Sequence, residues 1–337
     1  MRWLHLAVVV VLAAAVGCQR SADEVVVYTA LDREFSEPVL ERFSAETGID
    51  ARAKYDVEST KTVGLTQAII SERDRPRCDV FWNNEILNTL RLKKLGLLEA
   101  YQSPSAAPYP ATFKAADGTW HGFAGRARII LVNKELLDER DWPTSIHDFA
   151  HERYRGKAGI AKPLFGTTAT HVACLFATMG SEPAKELLLA MKENQVQILG
   201  GNKQVAEAVS SGQILFGLTD TDDAIVEIDQ GKPVEIIYPD QDVNDEGTLF
   251  IPNTVAIVRG GPNPEGARRL VDFVLSPASE AQLAEGGSSQ IPLNPEVSAR
   301  PRVKTPAEIK ALEVDFEAAA ERWESAMQFV ERELLAP

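Results

Sequence analysis

Three acids within four residues end an apolar run at Phe216-Gly217-Leu218-Thr219-Asp220-Thr221-Asp222-Asp223, and this is where the chain concentrates chemistry. Ile214, Leu215, Phe216 and Leu218 read as a buried strand, so the acids would sit at its carboxyl end. In open α/β sheets that edge is where ligands bind. Carboxylates massed there repel one another and must hold protons or a cation. A solvated acidic loop before the next helix is the alternative. A second charged motif has the opposite sign: Gly125-Arg126-Ala127-Arg128 feeds directly into the apolar run Ile129–Asn133. Such a cationic pair suits either a nearby anion or an ordinary surface salt bridge.

Elements that could position these residues follow from periodicity. Val25–Tyr28 is a β-rich run, and Phe35, Val39, Leu40 and Phe43 then recur at helical spacing up to Thr47-Gly48, a C-cap signal. Ile49–Tyr55 reads as a second strand, Val63–Ser71 as a helix, and Cys78–Trp82 as a third strand running into Asn83-Asn84-Glu85. A helix over Ile86–Leu95 stops at Gly96. Asp32 and Glu85 each follow a strand end and are expected at one sheet edge. Further along, Ala158–Ala161 is a strand, and Phe165-Gly166-Thr167-Thr168 opens a helix through Met179. Glycine, threonines and free amides at a helix start suit an anion, or plain capping. Helices are expected over Ile146–Ala150, Ala184–Glu193, Asn202–Ser210, Ala224–Gln230, Pro264–Leu275 and Ala278–Glu285. Val234–Tyr238 and Phe250–Val258 read as strands, and the acidic, amphipathic tail Pro306–Leu335 reads as core packing. Strands alternating with helices imply an α/β chain with a largely parallel sheet.

Composition narrows the function classes. The chain has 337 residues, 35 Lys and Arg against 49 Asp and Glu, and a formal charge of −14. That balance argues against nucleic acid as a partner. Met1–Gly17 carries one basic residue, Arg2, then an apolar core from Leu6 to Val16 that is too short for a stable membrane span. It ends Ala15-Val16-Gly17-Cys18, which resembles the lipobox of bacterial lipoproteins. The expectation is an exported chain, acylated at Cys18, with residues 18–24 as a polar tether and the membrane touched only through the anchor. An ordinary cleaved signal is the alternative. Beyond the leader the chain is long enough for two domains. Cys78 and Cys174 could pair in an oxidising compartment but are expected as two separate buried residues. There is no Gly-x-Ser-x-Gly, no P-loop and no His-Glu-x-x-His. The five histidines are scattered; His171, near the Thr-rich helix start, is expected as a surface or capping residue. An α/β hydrolase using the acids is therefore the weakest reading, and no enzyme activity is expected.

In order along the chain stand the leader, Val27-Tyr28-Thr29-Ala30-Leu31-Asp32-Arg33-Glu34-Phe35, Asp79-Val80-Phe81-Trp82, Gly125-Arg126-Ala127-Arg128, the acidic turn and Ile291-Pro292-Leu293-Asn294-Pro295. Together they resemble the ABC-transporter substrate-binding proteins of the ferric-iron type, over nearly everything from Val25 to the tail. The resemblance implies a two-lobed periplasmic-binding-protein clamshell, type II-like, each lobe a mixed sheet flanked by helices. Lobe 1 would be 25–126 plus 253–302 and lobe 2 127–252 plus 303–337, with two hinge strands at Gly125–Ile129 and Phe250–Val255. It also implies a metal site at Asp32, Glu85 (or Asn84, one residue earlier), Asp222 and Asp223. Aspartates stand where the family usually has adjacent tyrosines. Carboxylates are hard oxygen ligands, less selective for ferric iron than phenolates. Arg126, Gly166, Thr167 and Thr168 would hold a small companion anion.

The function implied is extracytoplasmic capture of Fe³⁺ or another hard cation by a monomer, delivered to an ABC permease and its ATPase. The alternative keeps the fold and binds a small amine-bearing organic anion such as an aminophosphonate. The aspartates would then hold the amine, and Arg126 with the helix start the anionic head.

Overall fold

The computed structural model describes residues 24–56 and 61–336; the leader and Cys18 lie outside them. The first half is built from β1 (Glu24–Thr29), α1 (Arg33–Thr47), β2 (Asp50–Tyr55), α2 (Val63–Ser71), β3 (Val80–Asn83), α3 (Leu87–Lys94) and the short β4 (Leu98–Glu99). β5 (His121–Asn133) follows as a single strand of 13 residues, all of them buried. The second half contains β6 (Ala158–Ala161), α4 (Gly166–Thr178), α5 (Ser181–Glu193), β7 (Gln197–Leu199), α6 (Asn202–Ser210), β8 (Phe216–Asp220), α7 (Thr221–Asp229) and β9 (Val234–Ile237). The chain then returns through β10 (Phe250–Val258) to α8 (Pro264–Val274), α9 (Pro277–Glu285) and α10 (Phe316–Phe329).

The strands run in the order β2-β1-β3-β10-β5-β8-β6-β7, with β4 on β10 and β9 on β5. β1 pairs in parallel with β2 and β3, and β6 in parallel with β7 and β8, which is the βαβ pattern expected from alternation. Antiparallel β5 and β10 join the two sets. β5 changes partner at one point: His121 to Ala127 run beside β10, whereas Arg128 to Asn133 run beside β8 and β9. A charged residue at that junction therefore lies between the two halves. Gly217 lets α6 sit directly on β8, since a Cβ there would overlap Val205.

Each half has its own core, one around Phe43, Trp82, Phe123 and Leu270, the other around Phe149, Phe176, Phe216 and Phe329. α10 touches both halves. Trp323 packs with the cluster of Leu87, Leu90, Ala169 and Ala173, and Phe329 with the core of the second half. The tail is thus core packing, and it faces α3 as well as α4. Four other details depart from expectation. α7 starts at Thr221, three residues early, because Asp220 in extended backbone serves as its N-cap position. The Ile146–Ala150 helix is a 3₁₀ turn, closed at its start by a Ser145–Asp148 capping box. β7 is too short and too mixed in polarity to have been read. His171 is buried within α4. Cys78 and Cys174 are separate buried free thiols. Among the described residues no helix is long and apolar enough to cross a membrane.

Candidate functional site

Arg126 and Arg128 are two apart on β5, so the strand's alternation aims them at the same side. Both are buried where β5 changes partner. A buried guanidinium needs a counter-charge and acceptors for its donors. Arg128 lies in register opposite Asp220. Its Nη1 donates to Asp220 Oδ1 at 2.7 Å, Asn202 Oδ1 at 3.1 Å and Thr167 Oγ1 at 3.2 Å, and Nη2 to Thr168 Oγ1 at 3.2 Å. Thr167 Oγ1 and Asn202 Nδ2 in turn donate to Asp220 Oδ2 at 2.5 and 2.9 Å. Arg126 Nη1 pairs with Asp222 Oδ2 at 3.1 Å, and its Nη2 donates to Asn253 Oδ1 at 3.0 Å. The cationic pair read from the sequence is therefore met by the chain's own acids.

The acids themselves converge. One oxygen from each of Asp220, Asp222 and Asp223 lies within 4.8 Å of the others. Asp222 and Asp223 stand in the first turn of α7, where exposed amides favour negative charge. Asp222 is 3% exposed, and its Oδ1 has no hydrogen-bond partner among the described residues. Burial, against the pull of Arg126, raises its carboxyl to about 6, with Asp220 and Asp32 adding to the rise. Burial and then the adjacent Asp222 push Asp223 well above the ordinary carboxylate range. A partly desolvated group of like charges with an unmatched oxygen is chemically suited to a hard cation.

Of the remaining candidates, Asp32 follows β1 as expected and bears on Asp222 through its charge. Its carboxylate is held by Lys61 Nζ at 2.8 and 3.0 Å. Glu85 is not brought into the acid cluster. Fully buried, it accepts from Asn83 Nδ2 at 2.8 Å, Leu87 N at 2.5 Å, Asn88 N at 3.0 Å and, from the other half, Thr170 Oγ1 at 2.8 Å. It caps α3 and ties that helix to α4. Asn84, beside it, is buried with Oδ1 unpartnered among the described residues. The side chains of Thr167 and Thr168 serve the Arg128 network, so only their backbone amides could face an anion. The Gly166 N–H donates to Lys61 O at 3.1 Å. His171 is held neutral, its pKa lowered to about 3 by burial and then by Arg128.

Sequence reasoning passed over Lys61, Asn202 and Asn253. Lys61 was findable, because it lies between β2 and α2 just as Asp32 lies between β1 and α1.

Two α/β halves joined by two antiparallel strands, with charged side chains from both meeting at the junction, define a two-lobed solute-binding protein. The chain belongs to the bacterial extracellular solute-binding protein family, whose profile matches residues 88–319. It is similar to iron uptake protein A1 of Synechocystis, 26% identical over 82% of this chain and 79% of that protein. Iron-bound HitA from Pseudomonas aeruginosa shares the fold with a TM-score of 0.82 at 22% identity, covering 91% of this chain and 99% of that one. AfuA from Actinobacillus pleuropneumoniae, solved with exogenous fructose-6-phosphate bound, superimposes with a TM-score of 0.83 at 22% identity over 93% and 99% of the two chains.

Proposed function

We propose that this protein captures ferric iron, or another hard multivalent cation, outside the cytoplasm and hands it to an ABC permease with its ATPase. The observation that carries this reading is the buried Asp222 Oδ1, unpartnered among the described residues, within a cluster of three carboxylates. Asp222 and Asp223 would be the principal ligands, with Asp32 joining them and Asp220 committed to Arg128. A companion anion would meet the Thr167 and Thr168 amides at the start of α4, the Gly166 N–H being already bonded to Lys61 O, and Arg126, whose Nε has no partner among the described residues. Cys18 would carry the lipid that keeps the exported, monomeric protein at the envelope. Similarity to iron uptake protein A1 supports the cargo. A second reading, a small amine-bearing organic anion such as an aminophosphonate, is favoured by the three cations Lys61, Arg126 and Arg128 at the same junction.

Ligand-dependent melting of the chelator-stripped protein separates the two. A ligand that binds only the native state stabilises it by about 2.7 kcal/mol at a hundredfold excess over Kd. Ferric iron supplied as a weak chelate is expected to raise the melting temperature of the wild type and not of Asp222→Ala. No shift with iron, Mn²⁺ or Ca²⁺, but one with an aminophosphonate that Arg126→Ala removes, would replace the first reading by the second.

A further inference from the structure

Lys61 is a positioned residue. Its ammonium donates to both oxygens of Asp32, and the two side chains are 16% and 37% exposed. Its backbone carbonyl accepts the Gly166 N–H at the start of α4, across the junction between the halves. The next residue, Thr62, takes a φ of +69° and accepts Asn88 Nδ2 through Oγ1 at 3.2 Å. A β-branched residue holds such a backbone only where its surroundings impose it. The chain at Lys61 is therefore fixed from both sides, and its side chain reaches the acids. Burial is what raises Asp222 and Asp223 most, and Lys61 is among the charges that oppose that rise.

We propose that Lys61 is a built-in counter-ion that occupies the cation position at Asp32, so that metal loading is an exchange of this ammonium for the arriving ion. The proposal rests on the metal-binding reading. Three cations, Lys61, Arg126 and Arg128, face four carboxylates, Asp32, Asp220, Asp222 and Asp223. The arginines are buried on β5 and hydrogen-bonded to neighbouring side chains, whereas Lys61 has a flexible four-carbon stem and a compact head that can swing into water. A cation that uses Asp32 must first break the Lys61 pair. That penalty is the same for every such ion, so it leaves a tight binder bound and turns a weak one away. A tethered ammonium also competes at a high local concentration that no change of medium dilutes. Lys61 would thus set an affinity threshold that only a tightly held, highly charged cargo clears, while leaving the ratio of affinities between two metals unchanged.

The test uses the full exported chain, stripped with chelator, as wild type, Lys61→Met and Lys61→Arg, titrated calorimetrically with ferric citrate and separately with Ca²⁺. Lys61→Met is expected to bind both metals up to about fivefold more tightly than wild type, the scale of one partly exposed ion pair. Lys61→Arg, which keeps the charge, should stay within about threefold of wild type. In an Asp32→Asn background Lys61→Met should tighten binding clearly less than it does with Asp32 present, the remainder being the influence of the Lys61 charge on Asp222 and Asp223. If wild type binds iron and Lys61→Met binds it equally or more weakly, Lys61 holds no exchangeable position and the proposal is overturned. If wild type binds neither metal, the metal reading itself fails and the exchange goes with it.

Discussion

Removing both members of the Arg128–Asp220 pair should cost clearly less than the two single losses added together. Arg128 is fully buried, and Asp220 is 2% exposed. Arg128→Met leaves the Asp220 carboxylate enclosed without its counter-charge, although Thr167 and Asn202 still donate to it at 2.5 and 2.9 Å. Breaking a buried pair costs about 3–5 kcal/mol. The two surviving donors place Arg128→Met at the low end, about 3 kcal/mol. Asp220→Asn leaves the guanidinium with only neutral acceptors on Thr167, Thr168 and Asn202, and should cost a similar amount. The double variant Arg128→Met/Asp220→Asn buries no lone charge. Its cost should fall short of the sum of the singles by about 2 kcal/mol, within the range seen for contacting pairs. Urea unfolding of the chelator-treated proteins, followed by circular dichroism, measures all three. If the two single costs simply add, the charges are not coupled and the assignment of Asp220 to Arg128 is wrong. The same variants divide the acids by role: Asp220→Asn should keep iron affinity within about threefold, whereas Asp222→Asn loses a proposed ligand and should weaken it by tenfold or more.

Two further outcomes follow from the same geometry. Glu85→Gln keeps the shape but replaces an acceptor of four hydrogen bonds, two of them from backbone amides of α3, so it should cost about 1.5–3 kcal/mol and leave iron affinity unchanged. A loss of iron binding without a loss of stability would return Glu85 to the metal site. Asp222 gives a pH dependence of definite sign: its folded value of about 6 lies above the ordinary 3.8. The native state therefore takes up a proton before the unfolded chain does, and chelator-treated protein should gain up to about 3 kcal/mol from this group as pH falls from 7 towards 4. Asp222→Asn should lack that gain, and a wild type that loses stability relative to Asp222→Asn over this range would contradict the burial argument.

The architecture was legible because it rests on period and punctuation. Alternation placed β1 to β3 and α1 to α3 within a few residues, and Gly48, with a φ of +72° and its N–H on Ser44 O, ends α1 as a C-cap should. Short-range competition decided the misses. The acids at Asp220, Asp222 and Asp223 read as a strand end with the next helix starting only at Ala224, yet a helix N-terminus accommodates acids, so α7 begins among them. The rule that strand ends face the ligand pointed to Asp32, the acidic turn and Glu85 alike. What it could not weigh was a local rival: Leu87 and Asn88 offer Glu85 two amides at the start of α3, so capping claimed the carboxylate first.

The arginines teach the complementary lesson. Arg126 and Arg128 announced that anions would be near, but a linear sequence does not distinguish an anion brought by a ligand from one brought by another strand. Register settles it: β8 lays Asp220 opposite Arg128, and the first turn of α7 brings Asp222 to Arg126. Once these pairs form, most of the charge gathered at the junction is spent internally. What remains for a ligand is the unmatched Asp222 oxygen, Asp223, and Asp32 beneath an exchangeable ammonium. A monovalent cation would gain little there over the lysine already in place. A multivalent ion, alone or with an anion at the start of α4, could repay the exchange, and that asymmetry links the carboxylate cluster to iron more firmly than the count of acids does.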